Sequence, residues 1–330
     1  MKCTNNKRLK KTGLFAAMLS AILLITGCTK PYDPDAYRIY QSSYDYKITS
    51  VPPMADVALF ADRLCVPGKK NIGLKNVSHS VAEAGGTFND TTLETMFAKN
   101  IYKKKFPAST TKILTAYVAI KYGDLNEVFT VSENACHQAY DSSVAGLAPG
   151  DQLTLRELLY GLMLASGNDA AIAIAEGIDG STDAFVKRMN REAKMLGATH
   201  SHFVTPNGLH DEDHYTTVYD MYLIFSAATK LKPFMELIKA PAFTAHYHGS
   251  TGIDKEKTWE TTNYYISGSF AAPDGIQVIG GKTGTTGQAG YCLVLLSKNN
   301  HDDRIISIVF HADCRSNLYH MMNEIMAKAK

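Results

Sequence analysis

Three short clusters in this chain pair a hydroxyl with an amine or an amide at spacings that can do chemistry. The first is Ser109-Thr110-Thr111-Lys112, within FPASTTKILTAY. A serine hydroxyl is a weak nucleophile at neutral pH and needs a base. Residues three apart share a helix face, so Lys112 can reach Ser109 across one turn. An ammonium cannot accept a proton, so the lysine has to be at least partly neutral. Burial and a second nearby cation both push a lysine that way. The start of the helix also turns backbone N–H groups toward a developing oxyanion. Alone, the tetrapeptide reads equally as a capping serine followed by a solvated lysine.

The second cluster is Ser166-Gly167-Asn168, within LMLASGNDAAIAIAE. Its hydroxyl and amide can face one cleft at a junction between helices, or simply cap one of them. The third is Lys282-Thr283-Gly284-Thr285, within IGGKTGTTGQAGYCLVLL, with five glycines from Gly280 to Gly290. Glycine lets another backbone approach closely. A strand edge can bind an extended peptide by β-addition, and a cation beside it suits a carboxylate. The alternative is a glycine-rich hairpin with an exposed lysine.

Elements on both sides must hold these clusters. Glu83 to Phe88 and Leu93 to Ala98 flank Asn89-Asp90-Thr91-Thr92 and predict a hairpin, after a strand-like run at Val57 to Phe60. Asn100 to Phe106 is basic and expected to be exposed, and Pro107 stops it. Residues 109 to 122 are apolar on nearly every side, which predicts a buried helix. Leu155 to Ala165, Asp169 to Glu176 and Thr182 to Leu196 read as further helices, the last stopped by Gly197. Short apolar runs at Ile276 to Gly280, Tyr291 to Ser297 and Arg304 to Phe310 read as strands, and Asn317 to Lys330 as a closing helix. Sheet pieces at both ends with helices between predict an α/β domain carrying a helical insert over about 123–270.

The N-terminus is of another kind. Lys2, Lys7, Arg8, Lys10 and Lys11 precede an apolar run from Leu14 to Ile25. Twelve residues are too few to span a bilayer and suit the apolar region of a signal peptide. The run ends in Ile25-Thr26-Gly27-Cys28, which resembles the lipobox of bacterial lipoproteins. Three parts are expected: a signal at 1–27, a Pro- and Tyr-rich tether at 28–55, and a domain at 56–330. Losing the five cations of the signal takes the formal net charge from +2 to −3. A nucleic-acid partner, which wants a basic face on the mature domain, is not indicated. Cys65, Cys136, Cys292 and Cys314 show no CxxC spacing, and buried free thiols are the preferred reading, although export would permit disulfides.

Ser-x-x-Lys, Ser-x-Asn and Lys-Thr-Gly in this order are a known signature of the penicillin-recognising serine enzymes. Within that group the chain resembles the low-molecular-mass D-alanyl-D-alanine carboxypeptidases from about Glu83 onward. PASTTK, VAGLAPGDQLTLRELLYGLMLASGNDAA, TPNGLHDEDHYTT and GGKTGTTGQAGYCLV carry the likeness. The resemblance implies an antiparallel sheet flanked by helices with an all-helical subdomain, as in β-lactamases and DD-peptidases. It implies Ser109 as nucleophile, Lys112 as its base, and Ser166 and Asn168 as proton relay and amide binder. It implies Lys282 and Thr283, within the Lys282–Gly284 motif, as the carboxylate site. Backbone N–H groups of Ser109 and Thr285 would form the oxyanion hole. The partners it implies are peptidoglycan stem peptides, with β-lactams as inhibitors and no cofactor. Lipid on Cys28 would hold the enzyme outside the cytoplasm on the cell membrane.

Residues 67–81 look like an insertion relative to the family, and the separate C-terminal β domain and amphipathic anchor of many relatives have no counterpart. His210, Asp211, Asp213 and His214 raise a zinc reading, but they lie in a turn without a third ligand at useful spacing, so loop structure is the expectation and no metal is assigned. His137, His246, His248 and His311 are scattered. A β-lactamase or endopeptidase on the same scaffold, or a catalytically dead peptidoglycan-binding lipoprotein, are the alternatives. The last would need a broken motif.

Overall fold

The computed structural model describes residues 63–330. The signal, Cys28, the tether and the run at Val57 to Phe60 lie outside them. The predicted hairpin is present as β1 (Ala82–Asn89) and β2 (Glu94–Lys99). The last strands are β7 (Gln277–Thr286), β8 (Gly290–Lys298) and β9 (Arg304–Ala312). Together these five form one antiparallel sheet in the order β2-β1-β9-β8-β7, which leaves β7 at an edge. Side chains alternate across a strand. Leu293, Leu295 and Val309 therefore face the closing helix, while Val294, Leu296, Ile306, Ile308 and Phe310 enter the core on the other face.

Helices cover both faces. The buried helix expected from residue 109 starts as a 3₁₀ turn over Ala108–Thr111 and becomes α1 at Lys112–Tyr122. It is followed by the single turn α2 (Glu133–Cys136), then α3 (Leu155–Met163), α4 (Asn168–Asp179) and α5 (Thr182–Met195). Their starts are set by hydroxyls. Thr154 and Glu157 form a reciprocal capping box, and Ser181 accepts from the Ala184 N–H. The closing helix α8 spans Arg315–Met326, two residues earlier than its apolar pattern suggests, with the Cys314 sulfur accepting from the Asn317 N–H.

Residues 218–260 hold elements the patterning analysis leaves unassigned. Helix α6 (Val218–Ala228) is buried almost all round, so it has no polar face to mark it, and α7 (Lys232–Lys239) is short. Strands β5 (Ala242–His248) and β6 (Asp254–Glu260) pair as a hairpin and join β3 (Val128–Thr130) and β4 (Gln152–Thr154) in a second, four-stranded sheet. The helical insert thus carries a small sheet of its own. Two of its strands are only three residues long, and β6 is largely exposed and rich in charged residues, which leaves little apolar alternation by which strands are read.

The 67–81 segment lies along the sheet edge. Ile72 bridges to Ala98, and the Tyr102 hydroxyl donates to the Pro67 carbonyl at 2.5 Å. All four cysteines of the described residues are free, and burial pushes the Cys65 thiol up to about 11. The helical layer packs tightly on β3: a Cβ at Gly177 of α4 would overlap the Phe129 ring. Gly177→Ala should therefore destabilise the domain by about 1–2 kcal/mol, although alanine is the better helix former by about 1 kcal/mol. Urea denaturation checks this, and an unchanged or raised midpoint would contradict it.

Candidate active site

Pro107 ends the basic stretch, and Ala108 follows it with a left-handed backbone, φ 48°. This turn delivers Ser109 at the start of the 3₁₀ turn, with Lys112 one turn on. The Lys112 amine is fully buried and touches three oxygens: Ser109 Oγ at 3.1 Å, Asn168 Oδ1 at 2.7 Å and the Asn207 carbonyl at 2.7 Å. The amide and the carbonyl can only accept. A neutral amine has two N–H groups, and these two oxygens consume both. Its lone pair is then left toward the Ser109 hydroxyl. Burial, and then the positive charge of Lys282, hold the Lys112 pKa well below the ordinary lysine value, while Asp169 opposes them.

Lys282 lies inside β7 rather than beyond it. It is buried, and its amine contacts Ser166 Oγ and the Thr283 carbonyl, each at 3.0 Å. Burial lowers its pKa to about 7. Ser166 joins α3 to α4 with φ 58°, a second strained non-glycine residue beside the first. The three sequence clusters therefore meet in one place, with Ser109–Lys112–Asn168 linked on one side and Ser166–Lys282 on the other. Gly284 is where β7 closes on the turn that carries Ser109, since a Cβ there would sit 3.0 Å from Ser109 N and 2.9 Å from Thr110 N. Ser109 borders two concavities. One, of about 230 Å³, is lined by Ser166, Thr283 and Thr285, and the other by Asn168, Asn207 and Thr286.

Several residues at the site were not singled out by the motifs. Asn207 acts through its backbone carbonyl, which no side-chain pattern reveals. Thr262 shares a 2.6 Å hydrogen bond with Thr283. Arg315, at the start of α8, lines the cleft with Thr283 and donates to the Tyr264 hydroxyl at 2.6 Å. Buried Asp169 takes backbone N–H groups from Ala145, Gly146 and Leu147 at 2.7–3.0 Å and so ties that loop to the start of α4. Only the adjacency of Asp169 to Asn168 could have drawn notice to it.

In the histidine-rich turn, His214 makes structural contacts. The described residues contain no group of three or more His, Cys, Asp or Glu placed to hold a metal. His214 is buried. Its Nδ1 accepts the Val204 and Thr205 N–H groups at 3.0 and 3.3 Å, so its Nε2–H donates to Thr111 Oγ1 at 2.9 Å. It straps the 204–208 segment to the turn that carries Ser109. Gly208, φ 84°, completes the fit, because a Cβ there would run into the Ala108 carbonyl. His210 borders the cleft, edge-on to Phe106 at 4.7 Å.

Burial pushes the His214 pKa down to about 4. The sign follows from linkage: the unfolded chain takes up a proton near pH 6.5, and the folded one only near 4, so stability falls as pH drops through that window. The shift is worth about 3 kcal/mol. His214→Gln should remove most of this slope, read as urea midpoints at about pH 7 and about pH 4.5. Equal slopes in both proteins would contradict it.

Comparison with known proteins adds to the geometry. The family model described as D-alanyl-D-alanine carboxypeptidase matches residues 85–314. The D-alanyl-D-alanine carboxypeptidase DacF of Bacillus subtilis is 35% identical over 223 residues, covering 66% of this chain and 54% of the relative. That of Streptomyces sp. (strain K15) is 35% identical over 227 residues, covering 65% and 76%. This chain thus spans about half the length of DacF, as it does of the Escherichia coli DacC relative, at 52%. Among solved structures, the Streptomyces K15 DD-transpeptidase superposes with TM-score 0.70 at 32% identity, covering 79% of this chain and 98% of that one. The D-alanyl-D-alanine carboxypeptidase of Mycobacterium tuberculosis gives TM-score 0.69 at 26% identity, covering 79% and 95%. With the family model spanning well over half of its length, and an antiparallel sheet flanked by helices bringing all three motifs to one cleft, the chain belongs to the D-alanyl-D-alanine carboxypeptidase family of serine peptidases.

Proposed function

We propose that this protein removes the terminal D-alanine from peptidoglycan stem pentapeptides through an acyl-enzyme on Ser109. The observation that carries the reading is the Lys112 amine, dry, with both donors occupied and 3.1 Å from Ser109 Oγ. Lys112 takes the Ser109 proton as Oγ attacks the penultimate D-alanine carbonyl. The N–H groups of Ser109 and Thr285 receive the oxyanion. Ser166, linked to Lys282, returns a proton to the departing amine. Thr283 and Arg315 line the end of the cleft that suits the terminal carboxylate, and the buried Lys282 amine stands behind it on Ser166 Oγ. Asn168 holds both Lys112 and the substrate amide, and water then hydrolyses the ester. Incubation with a defined stem pentapeptide should release D-alanine, and Ser109→Ala should abolish release. Cleavage confined to cross-linked dimers, or acyl transfer to an added amine in place of hydrolysis, would replace this reading with an endopeptidase or transpeptidase.

Penicillin should acylate Ser109 and stay there. Fast β-lactam hydrolysis needs a dedicated base beside the ester, commonly a glutamate. Glu176 is engaged by Ser132 and Asn134, each at 2.6 Å, and Glu192 is buried against Lys121 and Tyr122. Glu212 is exposed near His210. The carboxylate that borders the cleft, Asp141, is exposed on the 137–144 loop. Lack of a base costs about 10²–10⁴ in rate. Mass spectrometry after stopped-flow mixing should find one penicilloyl group, on the Ser109 peptide, long after acylation is complete. An acyl-enzyme gone within a second would identify a β-lactamase.

An enzyme of this family works outside the cytoplasm, and no helix of the described residues is long and apolar enough to cross a membrane. Lipid on Cys28 supplies the anchor in this reading, on the strength of the Leu14 to Ile25 run and the Gly27-Cys28 junction. A fatty-acid probe fed to cells should label the wild-type protein and not Cys28→Ala. Equal labelling of both would remove the lipoprotein assignment.

A further inference from the structure

Charge is segregated along the described chain. From Arg63 to Lys105 stand eight Lys or Arg against three acids, Glu83, Asp90 and Glu94, a net of +5. From Phe106 to Lys330, eighteen Lys or Arg stand against twenty-four acids, a net of −6. Folding collects the cations further. Lys69 and Lys103 line one concavity with His200, beside Pro67, Asn100 and Tyr102. Two residues on, His202 lines a second concavity with Lys187, Arg191 and Lys194 of α5. Tyr215 stitches the two together. It pairs with His202 through two backbone hydrogen bonds of 2.9 Å, and the Lys104 ammonium lies 3.7 Å from its ring centre.

Of the acids nearby, Asp183 of α5 is exposed one turn before Lys187, and the others are engaged elsewhere or stand at the rim. Glu83 is paired with Lys105 and faces His311, Asp179 is clamped by Arg188, and Asp220 is buried beneath Ser201 and the His200 N–H. Asp211, Glu212 and Asp213 mark the border past Tyr215. Among the described residues, no carboxylate lies within salt-bridge distance of Lys69, Lys70, Lys103 or Lys104, nor of the three α5 cations. Three apolar side chains stand out among them: Val66 is 67% exposed, Met195 60% and Ile72 39%.

We propose that this face docks the domain on an anionic lipid bilayer. Unpaired cations are attracted to an anionic headgroup surface, and exposed Val, Ile and Met side chains gain by entering its acyl boundary. A soluble polyanion would use the charges and leave the apolar side chains in water. The reading goes beyond the proposed activity and does not depend on lipid at Cys28.

The test uses the full chain carrying Cys28→Ala, so that no acyl chain contributes, in sedimentation with lipid vesicles. Binding should be strong on phosphatidylcholine vesicles containing one part in three phosphatidylglycerol, weak on pure phosphatidylcholine, and reversed by salt. Each cation should contribute roughly fivefold, so replacing Lys69, Lys70, Lys103 and Lys104 by Gln should weaken binding by about 600-fold if all four engage the surface. Unchanged penicillin labelling of Ser109 in that variant shows that it is folded. Equal binding to both vesicle types, or a quadruple variant that binds as wild type, overturns the proposal. So does soluble polyphosphate bound as tightly as the vesicles with Val66→Ser and Ile72→Ser without effect, which would make the face a polymer site.

Discussion

Lys112 and Lys282 are both fully buried, and they sit close enough for the charge of one to depress the pKa of the other. Two ammonium groups in so dry a place would be strongly unfavourable, and burial together with the Lys282 charge favours the neutral form of Lys112. The serine chemistry follows from that. With its N–H groups committed to Asn168 and the Asn207 carbonyl, the amine has one free direction, and Ser109 occupies it. Lys282, near neutrality at about 7, is poised differently. A substrate carboxylate beside it would favour its charged form, and that charge in turn keeps Lys112 unprotonated.

Dryness has to be built, and the fold spends much of its packing on it. Helix α1 is buried along nearly its whole length, so no solvated face leads water to Lys112. Strand β7 closes on the Ser109 turn through Gly284, and the 204–208 segment closes on it through Gly208. Two rigid ties hold these walls. Asp169 gathers three loop N–H groups beside Asn168, and His214 joins the 204–205 backbone to Thr111. The left-handed backbones of Ala108 and Ser166 fall at the two serines, where local conformational cost is offset by these surrounding contacts.

The chemistry of the site was largely legible in the sequence because its groups lie in three compact motifs, each on an element with a clear pattern. The β1–β2 hairpin is marked by its polar Asn-Asp-Thr-Thr turn, and α3 and α5 carry hydroxyl caps and amphipathic faces. What escaped has physical reasons. Helix α6 is buried nearly all round, and the β5–β6 hairpin is mostly solvent-facing, so neither has a contrast between faces. The Asn207 carbonyl has no side-chain signature. Arg315 stands more than two hundred residues from Ser109, and only the closed sheet brings α8 to the cleft. The turn around His214 reads in the sequence as loop structure, and only burial and its backbone partners give the ring a fixed tautomer.

Titration of the Lys112 side chain by NMR of a protein with isotope-labelled lysine, assigned through Lys112→Met, tests the central claim most directly. Lys112 should be neutral at pH 7, with a midpoint well below the ordinary lysine value of 10.5. In Lys282→Met that midpoint should move upward while staying depressed, because one of its two causes has gone and burial remains. A midpoint near 10.5 in the wild type, or one that ignores the loss of Lys282, would mean that Lys112 is an ordinary cation and that Ser109 must find its base elsewhere.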